Sequence, residues 1–536
     1  MLRYARPRCV VSRLLAAAAI VAALSCRPAA AAITLSEEFD GGSLNVPLSP
    51  VTGATVTLDP RKTSPGTYGP NWWWALYFQA DGVQGVKPAF NIPSPLAGLK
   101  PGHRLVYSYD NANWQYFDNG SISGSVYYFS NNAVFTQNRV YVAIMLPYPV
   151  SKTTSFVASV KSSPYVFPTA TGDANLVLGH TLGTAGGGYI DDMGRPVPSL
   201  PIYGFEVTDR SITGAKTKIV LESGNHSSES LSQYVLEGIV NWLIGPSPEA
   251  AALRRIADVY VYPSSDPEGR YSGYYVSSPC NPNGNHNRVW FDTSLNPELT
   301  ILENSMRTDT GGAVTYFLDM HVDWNDSMMY ATDAMLASPF YQALKLRDPA
   351  YCSSDYPMNP MTEGYAQSWA QLPTAQGGLA AVYASTPEFG QIYNNTEDFQ
   401  HQRGANFGLA FYDALGAQGL APTASAGPDA KVMMPNALTL AGSISDDGLP
   451  NPPGVCTAAW SVVSGPGAVT FAPPTAATTK ATFAAAGTYV LRLTANDSAF
   501  AATSNVTVTV LGAGDFNGDG KVDGVDFLIW QANYHG

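Results

Sequence analysis

Apolar and polar residues alternate over short stretches in the first part of the chain, with turns rich in Gly, Asn and Pro between them. A period of two is typical of β-strands that bury one face. The pattern predicts strands over Trp72 to Phe78, Arg104 to Tyr109 and Val140 to Ile144. Residues 33 to 150 are therefore expected to form an N-terminal β-sandwich domain.

From residue 151 to residue 418 the pattern changes, and strand signals alternate with helix signals. The runs Lys218 to Leu221 and Thr315 to Leu318 are typical of buried strands. A helix is predicted from Ser230 to Leu243. Its apolar residues recur at helical spacing along one face: Leu231, Val235, Ile239 and Leu243. This alternation predicts a central α/β domain in which helices flank a mixed sheet.

Residues 421 to 512 are rich in Ala, Thr, Gly and Pro and carry short strand signals such as Tyr489 to Leu493. Strands of this kind predict a smaller β-sandwich of immunoglobulin type. The runs Ala426 to Asp429, Trp460 to Val462 and Leu493 to Asp497 resemble those of polycystic-kidney-disease (PKD) modules. The resemblance implies a spacer or binding domain.

The last segment, residues 513 to 536, spaces side-chain oxygens as a calcium loop does. Ca²⁺ ligands are predicted at six positions, with Lys521 offering its carbonyl: Asp515, Asn517, Asp519, Lys521, Asp523 and Asp526. Asp526 stands where most such loops have Glu, and in this the segment resembles dockerin-type repeats. Such repeats come in pairs, whereas one is present here. A role in anchoring is predicted, and the alternative is a solvated acidic tail.

The N-terminal segment has the features of a secretory signal peptide. Four arginines precede residue 14, an apolar stretch runs from Leu14 to Leu24, and alanines at positions 29 to 32 offer a cleavage site. The apolar stretch is too short for a membrane span, and none is expected in the mature chain. Residues 1 to 32 are thus expected to be removed, and the protein to be secreted, periplasmic or at the cell surface.

The charge balance is acidic, with a formal net charge of −13 at pH 7. An acidic surface disfavours nucleic acids and anionic membranes as partners. After removal of the signal segment three cysteines remain, too few for a disulfide scaffold. Cys280 and Cys352 are the pair that a disulfide would join, and the sequence leaves their oxidation state open. Cys456 lies in a different segment.

Two short motifs follow the buried strands of the central domain. His226 and Glu229 stand three residues apart after the first strand, and His321 closes the second. Two imidazoles and one carboxylate are the ligand set of a catalytic zinc ion that keeps one position open for water. Such an ion lowers the pKa of its bound water and polarises a carbonyl group. Hydrolysis of an amide or ester bond is the predicted chemistry.

Three more stretches occur in the same domain: Asp266 to Gly269, Asn285 to Trp290 and Ala384 to Gly390. Together with the two motifs above, they resemble the zinc carboxypeptidase family in its cytosolic-carboxypeptidase-like branch. That family shows a His-x-x-Glu, an Asn-Pro-Asp-Gly turn, an Asn-Arg-x-Trp run, an Asp-x-His strand end and a late strand Glu, in this order. The resemblance covers residues 33 to 418 and includes an N-terminal β-domain.

The resemblance implies a role for each matching residue of the metal centre. The zinc ligands are His226, Glu229 and His321. Glu388 is the general base, which takes a proton from the metal-bound water and passes it to the leaving nitrogen. Asp319, two residues before His321, is a candidate hydrogen-bond partner of that ring.

The same resemblance implies the residues that hold the substrate. Arg288, a catalytic residue of the family pattern, binds the terminal carboxylate or a nearby carbonyl together with Asn287. Tyr365 lies where the family places a mobile tyrosine over the substrate. His286 is interpreted as a loop histidine without a metal role.

The chain departs from the family pattern at two positions. Val276 stands where the family has an arginine that polarises the scissile carbonyl, and Arg270 is one candidate to replace it. Loss of one such group typically lowers the rate by on the order of a hundredfold. Asn285 stands where the family has an Asp that orients a zinc-binding histidine, so the charge that raises ligand basicity is absent.

Three functions are compatible with these observations. The first is an exported zinc carboxypeptidase that removes C-terminal residues from peptides. Val276 motivates the second, a zinc amidase, deacylase or endo-acting hydrolase on the same scaffold. The third is a weakly active or non-catalytic binding protein that uses the two β-sandwiches and the calcium loop.

Overall fold

The computed structural model describes these residues of the chain: 32–61, 75–93, 102–183, 190–276, 285–292, 294, 296–323, 328–351, 354–358, 364–390, 396–416, 421–446, 455–498 and 500–534. The predicted signal segment up to residue 31 and the tryptophans at 72 to 74 lie outside them. Cys280 and Cys352 also lie outside, so their pairing stays a prediction. Cys456 is partly buried and carries a free thiol.

Two facing β-sheets make up the N-terminal region. Its strands are β1 (Thr34–Ser36), β2 (Val51–Thr52), β3 (Thr55–Thr57), β4 (Tyr77–Asp81), β5 (Ala89–Ile92), β6 (Val106–Ser108), β7 (Gln115–Tyr116), β8 (Asn119–Ser123), β9 (Val126–Ser130) and β10 (Arg139–Ala143). They form two sheets with the orders β1-β4-β10-β6-β7 and β2-β3-β5-β9-β8. Phe78 of the first sheet packs edge-on against Phe90 of the second, with ring centroids 5.8 Å apart. The predicted N-terminal β-rich region is confirmed.

A mixed sheet forms the centre of the next domain, as the sequence predicts. The strands of this domain are β11 (Val166–Pro168), β12 (Val177–His180), β13 (Pro201–Tyr203), β14 (Phe205–Val207), β15 (Thr217–Ser223), β16 (Ala257–Tyr262), β17 (Tyr316–Met320), β18 (Met328–Ala331), β19 (Ser354–Pro357) and β20 (Tyr383–Glu388). The order is β11-β14-β16-β15-β17-β20-β18-β19, and β12 pairs with β13 separately. Because β16, β15, β17 and β20 run parallel, their carboxyl ends meet at one edge.

Helices cover both faces of this sheet. They are α1 (Val150–Val160), α2 (Leu231–Ile244), α3 (Pro248–Ile256), α4 (Pro267–Tyr271), α5 (Pro297–Thr310), α6 (Asp333–Leu336), α7 (Pro339–Arg347), α8 (Ala366–Gln371) and α9 (Glu397–Gly416). Ile219 and Leu221 of β15 pack in one core with α2 and α9. Val220, between them, packs in a second core with α5 and α8. Burial on both faces explains the unbroken apolar run of β15.

Contacts across the first two domains tie the N-terminal sheets to the central domain. The Ser43 hydroxyl donates to the Gly273 carbonyl at 2.8 Å. The Arg195 guanidinium forms ion pairs with Glu37 of the N-terminal region and with Asp191. Apolar residues of both domains belong to one continuous core. The N-terminal domain is therefore packed directly against the central one.

The C-terminal part is a separate β-rich unit followed by a helix. Its strands are β21 (Thr423–Ser425), β22 (Ala430–Met433), β23 (Leu438–Ala441), β24 (Ser443–Ser445), β25 (Thr457–Ser464), β26 (Val469–Ala472), β27 (Thr478–Phe483), β28 (Gly487–Asn496) and β29 (Ala501–Leu511), and the helix is α10 (Gly524–Tyr534). Trp460, Leu493 and Val508 belong to its own core. Within the described ranges, no helix has both the length and the apolar character that crossing a membrane requires.

One buried histidine gives the fold a dependence on pH. His103 precedes β6, and its Nε2 lies 3.3 Å from the Ile144 carbonyl. Burial lowers the pKa of its imidazole to about 4, although the hydrogen bond to Ile144 acts in the opposite direction. The folded state thus disfavours the protonated ring, whereas the unfolded chain takes up that proton below about pH 6.5. Stability contributed by the neutral ring is present above that pH and is lost as the pH falls towards 4.

We expect His103→Gln to reduce the acid sensitivity of the protein. The difference between the folded and unfolded pKa of His103 lowers the unfolding free energy of the wild type by about 3 kcal/mol between pH 7 and pH 4. The measurement is the thermal unfolding midpoint at pH 7 and pH 4.5, for the wild type and the variant. His180→Gln, at an exposed histidine, is the control and should keep the wild-type difference. An equal pH dependence in His103→Gln and the wild type would contradict the assignment.

Candidate metal centre

The candidate site lies where neighbouring parallel strands of the central sheet end. β15 ends at Ser223, and Gly224 then turns the chain with a φ of 90°. Glycine adopts this conformation without the steric strain that other residues meet. The turn carries His226 and Glu229 to the edge of the sheet, directly before α2 begins.

The two strands beside β15 bring the other predicted residues to the same edge. His321 follows β17 at once, and its amide donates to the Pro387 carbonyl of β20 at 2.9 Å. In return the Phe389 amide donates to the His321 carbonyl at 3.0 Å. Glu388 is therefore paired with His321 in a parallel bridge at the end of β20.

The Glu229 carboxylate lies between the two imidazole rings. Its Oε1 is 2.8 Å from His226 Nδ1, and its Oε2 is 2.9 Å from His321 Nδ1. The ring centroids are 4.6 Å apart, and all three side chains are buried. The three ligand atoms lie within 4.8 Å of one another. The structure thus brings together the three residues predicted to hold zinc.

The outer hydrogen bond of His226 fixes which of its nitrogens carries the proton. Its Nε2 lies 3.0 Å from Asn285 Oδ1. That oxygen also accepts from the Asn287 amide at 2.9 Å, so it is an acceptor. We infer that Nε2 carries the hydrogen, and that Nδ1 directs a lone pair towards Glu229.

His321 has the same arrangement with a charged outer partner. Its Nε2 lies 2.9 Å from Asp319 Oδ1, to which it donates. In the neutral ring, the Nδ1 lone pair then also faces Glu229. Two lone pairs directed at one carboxylate repel unless a cation lies between them, and the donor set of two imidazoles and one carboxylate suits Zn²⁺. The residues present fit the metal that the sequence predicts.

Electrostatics keep the Glu229 carboxylate ionised. Burial raises its pKa, but the rings of His226 and His321 lower it to about 2. The Val322 amide adds a hydrogen bond to Oε2 at 2.9 Å. A carboxylate that is charged across the physiological range is ready to bind a divalent cation.

Asp319 links the metal centre to the interior of the sheet edge. Its Oδ1 accepts from Asn225 Nδ2 at 2.8 Å, and its Oδ2 accepts from Asn287 Nδ2 at 3.1 Å. Both amide oxygens are in turn acceptors, because Trp290 Nε1 donates to Asn225 and the Ala366 amide donates to Asn287, each at 3.0 Å. The Asn287 amide is therefore engaged by the protein on both sides. The sequence predicts it as a substrate contact, and the structure gives it a supporting position.

Glu388 lies next to the metal centre and is less buried than the four residues before it in β20. Burial raises the pKa of its carboxyl well above the ordinary value, and the charge of Glu229 raises it further, whereas His321 lowers it. A carboxyl with a raised pKa beside a metal centre is a candidate proton acceptor.

The two predicted substrate contacts form a stacked pair. The Arg288 guanidinium lies 3.7 Å above the centre of the Tyr365 ring. Its Nη1 also donates to the Asn287 carbonyl at 2.7 Å. Arg288 belongs to a short 3₁₀ turn (His286–Arg288), and Tyr365 immediately precedes α8, so two separate loops meet here. Both side chains are half-exposed.

Arg270 does not lie with this pair. Its Nη1 donates to the Tyr148 carbonyl at 2.8 Å, in a cavity of about 50 Å³ between the N-terminal and central domains. Val276 is buried. Arg270, the candidate replacement for the missing arginine, is thus held at the domain boundary. A buried guanidinium requires hydrogen-bond acceptors, and the Tyr148 carbonyl is one of them.

A second buried group was missed by the sequence analysis. Asp266, His286 and Glu298 bring ligand atoms within 4.8 Å of one another, and His286, which the sequence analysis interprets as a loop histidine without a metal role, is buried. The sequence contained one signal for this group. Asp266 follows the end of β16, and β16 lies beside β15, the strand that leads to His226. A third such group, Glu237, Glu397 and His401, is half-exposed.

The C-terminal loop is ordered by its acidic residues. Asp515 accepts hydrogen bonds from the Gly518 and Gly520 amides at 2.7 and 3.0 Å. Asp526 accepts from the Asn517 and Asp523 amides at 3.1 and 2.9 Å. The other predicted calcium ligands, Asn517, Asp519, Lys521 and Asp523, are exposed. Across the described residues, this loop is not among the groups whose ligand atoms converge.

Known proteins resemble the chain in two parts. Residues 426–510 match a family model that describes a PKD domain. A metallo-carboxypeptidase from Burkholderia cenocepacia superposes with a TM-score of 0.57 and 18% identity, over 72% of this chain and 99% of that structure. One from Pseudomonas aeruginosa, in complex with (2-guanidinoethylmercapto)succinic acid, superposes with a TM-score of 0.53 and 18% identity, over 71% and 98%.

A curated relative gives the same indication from sequence. Human cytosolic carboxypeptidase 6 is 30% identical over 140 residues, which is 24% of this chain and 27% of the human protein. The chain therefore covers about a quarter of that relative. The fold of the first two domains is that of metallo-carboxypeptidases, and a PKD domain follows it.

Proposed function

We propose that the chain is an exported zinc-dependent carboxypeptidase. The observation that carries this proposal is the convergence of the Nδ1 atoms of His226 and His321 on the Glu229 carboxylate, beside Glu388. The metallo-carboxypeptidase fold and the partial identity to a cytosolic carboxypeptidase support it. Bound there, Zn²⁺ would supply a water of lowered pKa and polarise the scissile carbonyl.

Glu388 is the residue that we assign to proton transfer. It accepts a proton from the attacking water and donates it to the leaving amine nitrogen. A carboxyl whose pKa is raised above its ordinary value is a stronger base once it is ionised, which suits the first of these steps. Its position at the end of β20, bridged to His321, holds it next to the ligands.

Arg288 is the residue that we assign to the terminal carboxylate of the substrate. Arginine binds carboxylates through two parallel hydrogen bonds, and the Arg288 guanidinium lies over the ring of Tyr365, the other predicted substrate contact. The Pseudomonas structure of the same fold contains a succinic acid derivative, which is a carboxylate ligand. A pocket that requires a free carboxylate would restrict the enzyme to C-terminal peptide bonds.

A second candidate function follows from Val276 and Arg270. Position 276 has a valine, and Arg270 is bound to the Tyr148 carbonyl. Neither residue therefore supplies the group that polarises the scissile carbonyl in the family pattern. An amidase, deacylase or endo-acting hydrolase on this scaffold would not need a free carboxylate.

Export is proposed from the arginine-rich start and the apolar stretch up to Leu24. Export would place this chain outside the cytosol, whereas the human relative is named a cytosolic carboxypeptidase. The mass of the mature N-terminus, from cells that produce the full chain, tests cleavage near residue 32.

We expect Glu388→Gln to abolish most turnover while leaving the metal bound. Loss of a general base typically lowers the rate by about 10²- to 10⁴-fold. Turnover of a free-C-terminus peptide and the zinc content by mass spectrometry are measured on the same preparations. Glu249→Gln, in α3, is the matched control and should resemble the wild type. Unchanged turnover in Glu388→Gln would exclude the base role.

Paired peptides with a free and an amidated C-terminus separate the two candidate functions. We expect chelator-sensitive cleavage of the free peptide alone, and Arg288→Gln should lower kcat/KM by about 10- to 100-fold because charge-assisted hydrogen bonds are lost. Arg210→Gln, at an exposed arginine of the same domain, is the control. Equal cleavage of both peptides would favour the amidase or endo-acting hydrolase.

We also propose that the C-terminal loop binds Ca²⁺ and serves in anchoring. Its support is the loop sequence and the burial of Asp515 and Asp526 at either end of an exposed loop. Titration calorimetry of the full chain should show Ca²⁺ binding that Asp515→Asn and Asp526→Asn weaken. Asp398→Asn, in α9, is the control. If no heat of Ca²⁺ binding is measured, the loop does not bind Ca²⁺ and the segment is a solvated acidic tail.

A further inference from the structure

The second buried group lies at the same sheet edge as the metal centre but on different elements. Asp266 caps α4, where its Oδ1 accepts from the Gly269 amide at 2.7 Å. His286 begins the 3₁₀ turn, and Glu298 lies in the first turn of α5. Their exposed fractions are 0%, 1% and 1%. Ionisable side chains this deeply buried require a compensating charge or hydrogen-bond partner.

The protonation of His286 follows from its neighbours. The Trp290 indole can only donate, and it donates to Asn225 Oδ1 at 3.0 Å, so that oxygen is an acceptor. His286 Nδ1 lies 3.4 Å from the same oxygen. We infer that Nδ1 carries a hydrogen directed at Asn225. In the neutral ring, the Nε2 lone pair then faces Glu298 Oε1, which is 3.2 Å away.

This geometry repeats the pattern of the metal centre. In both places, the outer ring nitrogen donates to an amide or carboxylate oxygen, and the inner nitrogen directs a lone pair at a carboxylate. Metal-binding histidines are oriented by such outer hydrogen bonds. Two ligand atoms bound at tetrahedral angles with bonds of about 2.0–2.1 Å lie about 3.3 Å apart. The separation of 3.2 Å between His286 Nε2 and Glu298 Oε1 matches that spacing.

A further carboxyl adds an independent indication. Glu268 is fully buried, and its Oε2 has no hydrogen-bond partner among the described residues. Within the same residues, no lysine or arginine forms an ion pair with it. Glu268 thus adds a third buried carboxyl group close to those of Asp266 and Glu298, and a divalent cation would neutralise such a group of carboxylates.

We propose that Asp266, His286 and Glu298 bind a second divalent cation, separate from the one at His226, Glu229 and His321. An imidazole with two carboxylates suits a first-row transition ion such as Zn²⁺. The site holds together α4, the 3₁₀ turn and the start of α5. Because His286 stands between Asn285 and Asn287, the ion fixes the loop whose side chains bind the His226 ring and the Asp319 carboxylate beside His321.

Metal counting on the full chain tests the proposal without reference to activity. The protein is stripped with a chelator, loaded with Zn²⁺ in the presence of Ca²⁺, which would occupy the C-terminal loop, and washed. Zinc per chain is then measured by mass spectrometry. We expect two equivalents in the wild type and one in both His286→Gln and His321→Gln. His401→Gln, in the half-exposed third group, is the control and should keep two.

Two results would overturn the proposal. One equivalent in the wild type would mean that shared protons, rather than a cation, hold the buried group together. Two equivalents in His286→Gln would place the second ion elsewhere. If His286→Gln fails to fold, anomalous diffraction from wild-type crystals at the zinc edge tests the proposal without a variant. A single peak near His226 would overturn it. A chain with two ions but no turnover would instead contradict the proposed function alone.

Discussion

The constraint on which the site depends is the opposition of two ring nitrogens to the Glu229 carboxylate. The nitrogens lie 2.8 and 2.9 Å from its oxygens, and contacts this close in a buried place require positive charge between the atoms, supplied by a proton or by a metal ion. The protein maintains this opposition from outside, because Asn285 and Asp319 hold the outer nitrogens of the two rings. These outer contacts fix the orientation of both candidate metal ligands.

The two outer partners differ in charge, and the rings respond differently. His226 is paired with the neutral Asn285, and burial lowers its pKa despite the nearby Glu229. His321 is as deeply buried, yet Asp319 and Glu229 raise its pKa well above the ordinary value. Asn285 thus preserves the direction of the hydrogen bond while removing the charge. In physical terms the substitution weakens His226 as a base without turning its ring away from the metal position.

The sequence predicted the strands and the convergence of the three candidate ligands because both depend on local signals. Unbroken apolar runs marked β15 and β17, and the residues after them had to lie at one edge of a parallel sheet. The sequence could not predict the use of the Asn287 amide, the direction of Arg270 or the burial of His286. Each depends on which loops meet: Asn287 contacts residues of β17 and α8, and Arg270 reaches the domain before it. Those partners are distant along the chain and leave no periodic signal.

The N-terminal domain contributes to the site through the helix that follows Glu229. The Ser230 hydroxyl donates to the Leu146 carbonyl at 2.6 Å, and the Tyr234 hydroxyl donates to the Pro147 carbonyl at 2.8 Å. Both donors lie at the start of α2, so the turn that carries His226 and Glu229 is held between the end of β15 and the N-terminal sheets. The segment around Leu146 thereby limits how far Glu229 can move relative to His321. The domain is therefore a structural part of the metal centre, which explains why its core is continuous with that of the central sheet.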